Sequence, residues 1–218
     1  LNENTRLLEI GCGWGGFSTY VAKNFGSKIS AITNSKEQFE YTSKKISKEG
    51  LNEKVSVEFK DYRDIDGKYD NISSIEMFEA VGKKYWPVYF EKIRNCLTDN
   101  GLATFQIITI NENKKDLYQK NQDFIQQYIF PGGILPSKKQ IFQITSSLGL
   151  KLNEFNSFGT SYATTLNLWN KQFQTSWDDI AKQGYSMRFK KMWEYYLSYC
   201  EVGFITKATD VSHFLLKL

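Results

Sequence analysis

Histidine is nearly absent from this chain: His213 is the only one in 218 residues. Histidine-rich metal sites and Ser-His-Asp triads both need imidazole beside a reacting group. A single histidine in the closing alternating run 210–218 supports neither chemistry and reads as structural. Cysteine is equally sparse. Cys12, Cys96 and Cys200 are odd in number, far apart and without metal spacing, so they read as reduced thiols in a cytosolic protein. No apolar run is long enough to span a bilayer, and no signal peptide is visible. Charge of one sign is also lacking: the net charge is +4, with no Lys/Arg cluster. That balance excludes nucleic acid as an expected partner and fits weak attraction to an anionic membrane surface. The first residue is Leu1 rather than Met, which reads as a trimmed piece of a longer protein whose N-terminal segment lies outside this sequence.

Aromatic side chains are abundant, with 16 Phe, 13 Tyr and 5 Trp. Such rings either fill a core or wall a site that needs wide apolar surfaces, and composition alone leaves both open. The length suits one domain with a substantial core. Close to the start, the apolar run 7–10 ends in an acidic residue and three alternating glycines, Glu9, Gly11, Gly13 and Gly15, followed by Gly16. Alternating glycines let a backbone turn sharply and approach something bound. Gly11, Gly13 and Gly16 fit the dinucleotide pattern G-x-G-x-x-G, whose pyrophosphate sits on a helix N-terminus. Glu9, Gly11, Gly13 and Gly15 fit the acid-x-G-x-G-x-G pattern of S-adenosylmethionine (SAM) methyltransferases, with Glu9 placed to attract an ammonium. A dinucleotide site predicts an acid at the end of the second strand, where Thr33-Asn34-Ser35 stands instead.

Strand and helix signals alternate through the first hundred or so residues. Strands are predicted at 7–10, 28–33, 55–60, 70–75 and 102–110, and helices at 14–24, 35–48 and 81–97. Ser35 and Gln38 form a predicted capping box, and Asn100-Gly101 is a predicted turn. This order implies a largely parallel sheet with helices on both faces and ligands at the strands' carboxyl ends. Residues 111–136 break the rhythm and read as an ordered, turn-rich insertion, with Pro131 and Pro136 inside it. A strand is expected at 151–156, ring-rich helices over 162–204, and a last strand around His213.

Four stretches closely resemble one family: 8–16, 33–38, Asp61-Tyr62-Arg63-Asp64, and 74–82 with Glu76, Phe78, Glu79 and Ala80. It is the cyclopropane fatty-acyl-phospholipid synthases and their relatives, the mycolic acid cyclopropane synthases and fatty-acid methyltransferases. Residues 128–133, 158–166 and 192–197 extend the resemblance over essentially the whole chain. It implies a Rossmann-like class I SAM-methyltransferase fold, a mostly parallel seven-stranded sheet with an aromatic-rich lipid-binding cover from 111–136 and 162–204. It also implies that Glu9, Gly11, Gly13 and Gly15 hold the methionine end of SAM. Thr33, Ser35 and Gln38 would lie near the ribose, with Asp61, Tyr62 and Ile75 around the adenine. Ser35 and Gln38 have a bland alternative as helix caps, Asp61 as a turn-former, and Ile75 is core on either reading.

The activity implied is methyl transfer to the cis double bond of an unsaturated acyl chain of a membrane phospholipid. The implied protein is cytoplasmic and peripherally membrane-associated, and a homodimer is compatible with the resemblance. In the family a bound bicarbonate is thought to accept the proton. Its expected holders here are Glu79, Gln106, the backbone of Ile108 and Tyr162; Gln106 stands where the family usually has histidine, and the family's upstream cysteine segment lies outside this chain. Relatives with glutamine there resemble enzymes that install a methyl or methylene branch, so both products stay open. A non-catalytic SAM- or lipid-binding module is the reading from another class.

Overall fold

The protein is described by a computed structural model covering residues 1–218. Seven strands form one sheet in the order β3-β2-β1-β4-β5-β7-β6. They are β1 Arg6–Ile10, β2 Lys28–Thr33, β3 Val55–Phe59, β4 Tyr69–Ile75, β5 Leu97–Ile110, β6 Lys151–Ser157 and β7 Thr209–Lys217. The pairs β1–β2, β1–β4, β2–β3 and β4–β5 are parallel. Strand order reverses direction between β1 and β4, which makes the carboxyl ends of these two strands the natural ligand crevice.

The chain divides into two compact units. Unit 1 comprises Leu1–Ile107, Gln140–Phe155 and His213–Leu218; unit 2 comprises Ile108–Lys139 and Asn156–Ser212. Within unit 1, α1 (Gly16–Asn24) and α2 (Lys36–Lys48) bury Val21, Ala22 and Ile46 against Leu7, Ile29, Ala31 and Val55 of the first three strands. The helix α3 (Trp86–Cys96) closes a second core of rings: Phe78 packs on Trp86, Tyr89 and Phe90, with Phe105 of β5 behind them. Every side chain in that ring set is 2% exposed or less. Unit 2 holds α7 (Gly159–Thr175), α8 (Trp177–Lys182) and α9 (Met187–Ile205). Ala163 and Leu166 of α7 pack with Leu197 and Phe204 of α9 around Val211.

Several local expectations shift. The helix predicted from 81 begins only at Trp86, because Gly82 adopts φ +80 and two short 3-10 turns precede it, with proline in the first helical turn. The predicted Asn100-Gly101 turn lies inside β5 as an irregularity: Tyr69 pairs with Leu97, but Asn71 pairs with Leu102. Residues 111–136 contain two short helices, α4 (Lys115–Lys120) and α5 (Phe124–Tyr128), besides their turns. The helix α6 (Lys138–Ser147) was not expected from the sequence. The capping box predicted at Ser35 is only half formed. The Ser35 hydroxyl accepts from the Gln38 N–H at 3.3 Å, while the Gln38 side chain accepts from Thr33 at 2.9 Å instead of turning back. A complete box forms at Asp123 and Gln126.

Candidate active site

Buried polar residues gather near the carboxyl ends of β1, β2 and β4: Glu9, Thr33, Ser73 and Ser74 are all nearly inaccessible. Glu9 is the most consequential. It is 3% exposed, and burial pushes its pKa up from 4.5 to about 7, although the Ser18 hydroxyl of α1 donates to it. A buried carboxyl with so little compensation favours a cationic neighbour, because a positive charge beside it would restore the ionised form. Burial, with a smaller contribution from Glu9, pushes the Cys12 thiol up to about 12 and keeps it a protonated, unreactive group.

The glycine turn follows directly. The Gly11 and Cys12 N–H groups donate to the Ile32 carbonyl at 3.0 and 2.9 Å, which ties the turn to β2. Thr42, fully buried on α2, donates to the Gly13 carbonyl at 3.0 Å. Gly15 sits at φ +72, and a Cβ there would lie 2.6 Å from the Thr42 methyl, so internal packing alone requires this glycine. Gly13, at φ +52, is different: a Cβ would meet nothing within 4 Å. Packing therefore does not require this glycine; the space beside it is open.

The expected ribose set is assembled. Thr33 Oγ1 donates to Gln38 Oε1 and accepts from the Ser35 N–H at 3.2 Å, while Ser35 Oγ donates to Glu37 at 3.0 Å. The expected adenine set is more divided. Both Asp61 oxygens pair with the Arg63 guanidinium, at 2.8 and 2.9 Å, and this ion pair holds the carboxyl below its usual range. Asp61 also caps its 3-10 turn by accepting from the Arg63 N–H. Tyr62 is buried, edge-on to Tyr89 at 5.1 Å. Ile75 corrects an expectation: it is 40% exposed rather than core, at the last position of β4.

Of the expected catalytic residues, Glu79 and Gln106 belong to unit 1, and Ile108 and Tyr162 to unit 2. Glu79 lies half-buried in the 3-10 turn Phe78–Ala80; burial, with a smaller contribution from the Glu79 carboxylate, raises the Tyr89 phenol above its ordinary pKa. Gln106 pairs in register with Ile75, and its Nε2 donates to Glu76 Oε1 at 2.7 Å. Tyr162 packs between Phe158 and Phe204, at 5.9 and 5.3 Å, and Ile108 lies against the same apolar cluster. The sequence assigned no site role to Thr42, Glu76 or His213, which the structure sets against Gly13 and Gln106. A buried threonine facing glycines left no spacing signal, and strand-to-strand contacts such as His213 with Gln106, at 2.9 Å, have none in a linear sequence.

Residues 1–214 match the family described as mycolic acid cyclopropane synthetase. The chain belongs to this family. It is 37% identical over 217 residues to tuberculostearic acid methyltransferase UfaA1 of Mycobacterium tuberculosis, covering 99% of this chain and 51% of that protein. It is 39% identical over 212 residues to the cyclopropane-fatty-acyl-phospholipid synthase of Escherichia coli, covering 97% of this chain and 52% of that protein. The chain thus spans about half the length of the curated relatives it matches. Among solved structures, the cyclopropane synthase MmaA2 from Mycobacterium tuberculosis superposes with a TM-score of 0.90 at 25% identity, over 99% of this chain and 79% of that one. The mycolic acid cyclopropane synthase CmaA1, complexed with SAH and CTAB, gives 0.91 at 24% identity, over 100% and 79%. The family's fold is the one observed, a seven-stranded sheet with a glycine turn after β1.

Proposed function

We propose that this chain binds SAM at the switch between β1 and β4 and directs its methyl group to the cis double bond of an unsaturated phospholipid acyl chain, with closure to a cyclopropane. The observation that carries this reading is buried Glu9, with its raised pKa, beside a glycine turn whose Gly13 faces open space. These residues fit the donor: Glu9 would take the methionine ammonium, Gly13 would admit close approach, and exposed Ile75 would offer an apolar face to the adenine. Once bound, the sulfonium supplies an electrophilic methyl group. The relatives named for cyclopropane synthesis and acyl methylation support the substrate class.

An alkene is a weak nucleophile, so alignment and exclusion of water are the main contributions a protein can make. The alkene π pair would form the new C–C bond as the methyl–sulfur bond breaks, its electron pair leaving with sulfur as a neutral thioether, and a cation would remain on the neighbouring carbon. Loss of a proton from the incoming carbon closes the ring. After a hydride shift, loss of the same proton leaves an exocyclic methylene. Glu79, a carboxylate just beyond the end of β4, is assigned as the proton acceptor. Gln106 gives an amide N–H to the Glu76 carboxylate, so an anion beside it would meet a negative neighbour. That arrangement does not fit bicarbonate.

Branching is the second reading, favoured by glutamine at position 106 and by the similarity to UfaA1. The deciding experiment gives the full-length protein SAM and unsaturated phospholipid, followed by mass spectrometry of the methyl esters before and after mild hydrogenation. A product one CH2 heavier that resists hydrogenation is the ring; one that takes up hydrogen is the methylene branch. SAM binding with no product of either kind would leave a non-catalytic module. No helix is long and apolar enough to cross a membrane. Access to lipid is assigned to exposed side chains of unit 2, among them Leu168, Trp169, Tyr195 and Ile205.

A further inference from the structure

The structure assigns His213 a role as a positioning residue: with Glu76, it fixes which edge of the Gln106 carboxamide faces the carboxyl end of β4. Three strands of unit 1 meet at this point. Gln106 Nε2 is 2.7 Å from Glu76 Oε1, and Gln106 Oε1 is 2.9 Å from His213 Nε2. An ionised carboxylate only accepts hydrogen bonds, so the amide nitrogen belongs at the Glu76 end. The carbonyl then faces the imidazole, which must carry a proton on Nε2 to donate to it. The chemistry of the three groups therefore sets both the amide orientation and the histidine tautomer.

The backbone shows the same pairing. Glu76 stands at φ +51, one of two non-glycine residues with positive φ, the other being Lys207. Its N–H donates to the Gln106 carbonyl at 2.9 Å, so residue 76 is tied to residue 106 by main chain and side chain together. A left-handed glutamate is strained, and it persists where its surroundings hold it. Gln106 lies beside Ile75 in the ladder, at the strand end proposed to hold the cofactor. The functional consequence rests on that reading. A locked amide presents one fixed dipole to the developing cation, whereas a freely flipping one presents two and broadens the choice of product.

The test uses the full-length protein and two readouts. The first is nitrogen-15 NMR of the imidazole at a pH where the ring is neutral, with the signal assigned by its loss in His213→Phe. The expected state is protonated Nε2 with bare Nδ1, and Gln106→Leu should shift the tautomer balance. The second is kinetic. His213→Phe should lower kcat about tenfold and change the ratio of ring to branched product, with SAM affinity within about twofold of the parent. His213→Gln keeps a donor and should recover most of the loss. In a Gln106→His background there is no carboxamide to orient, so His213→Phe should cost less than about twofold. A bare Nε2 in the parent protein, or equal losses in both backgrounds, would overturn the inference. If the parent methylates no acyl chain, the proposed function fails, and the tautomer measurement still judges the role of His213.

Discussion

The two units use the same residue types to different ends. The largest fully buried side chains, from Trp86, Tyr89, Phe78 and Phe90 to Phe105 and Phe214, all belong to unit 1. In unit 2 the rings pack in chains along helices, as Phe189, Trp193 and Tyr196 do, yet Leu168, Trp169, Tyr195 and Ile205 stay more than half exposed. The units differ in their buried rings rather than their exposed ones. Trp14, Tyr20, Tyr41 and Phe59 of unit 1 are as open as Tyr128, Phe130, Trp169 and Tyr195 of unit 2, but only unit 1 also packs rings into a core behind its strand ends. Buried polar residues occur in both units, Thr109, Ser137 and Ser212 among them in unit 2, but the set of Glu9, Ser18, Thr33 and Thr42 around the glycine turn belongs to unit 1.

The sharpest contrast should come from the two expected catalytic side chains. Glu79→Gln is expected to lower turnover by about 10²–10⁴ while SAM affinity, measured by calorimetry, stays nearly constant. Tyr162→Phe in unit 2 removes only a hydroxyl and should cost far less. Equal losses of turnover and affinity in the Glu79 variant would reassign that residue to fold support. Next in size is Phe90→Ala, which empties a fully buried ring site and should cost about 3–5 kcal/mol in denaturant unfolding.

Glu9 provides a pH test of the polar side of the comparison. Its folded-state pKa is raised from 4.5 to about 7, so its contribution to stability is fully present below 4.5 and is lost as pH rises through about 7. The ligand-free protein should lose on the order of 3 kcal/mol at most over that window from this group, and Glu9→Gln should flatten the slope. SAM affinity should run the other way and strengthen as pH rises through about 7, because only the ionised carboxyl pairs with an ammonium. A pH-independent affinity would remove Glu9 from the methionine end. The smallest stability effect belongs to Trp169→Ala on exposed α7, within about 0.5 kcal/mol by thermal melting. Its binding to anionic vesicles should nevertheless weaken; unchanged binding would break the assignment of unit 2 to the lipid surface.

Sequence periodicity located most strands and helices because alternation and helical spacing are local properties. It failed where a choice depended on distant partners. Gln38 turned to Thr33 rather than back to Ser35. The helix α6 was a different miss, since Pro136, the Ser137–Gln140 spacing and Gly149 bracket it locally. The family and the glycine turn were legible from residues 7–16 and the motifs beyond them, since backbone conformation at Gly13 and Gly15 and the acid before them are encoded within a few positions. That Gly15 is required by packing, and Gly13 is not, was decided only by where α2 places Thr42. Likewise, the exposure of Ile75, the division of the rings and the meeting of His213 with Gln106 arise from strands far apart in sequence. Local order in the chain specifies elements; only their packing brings residue 213 against residue 106.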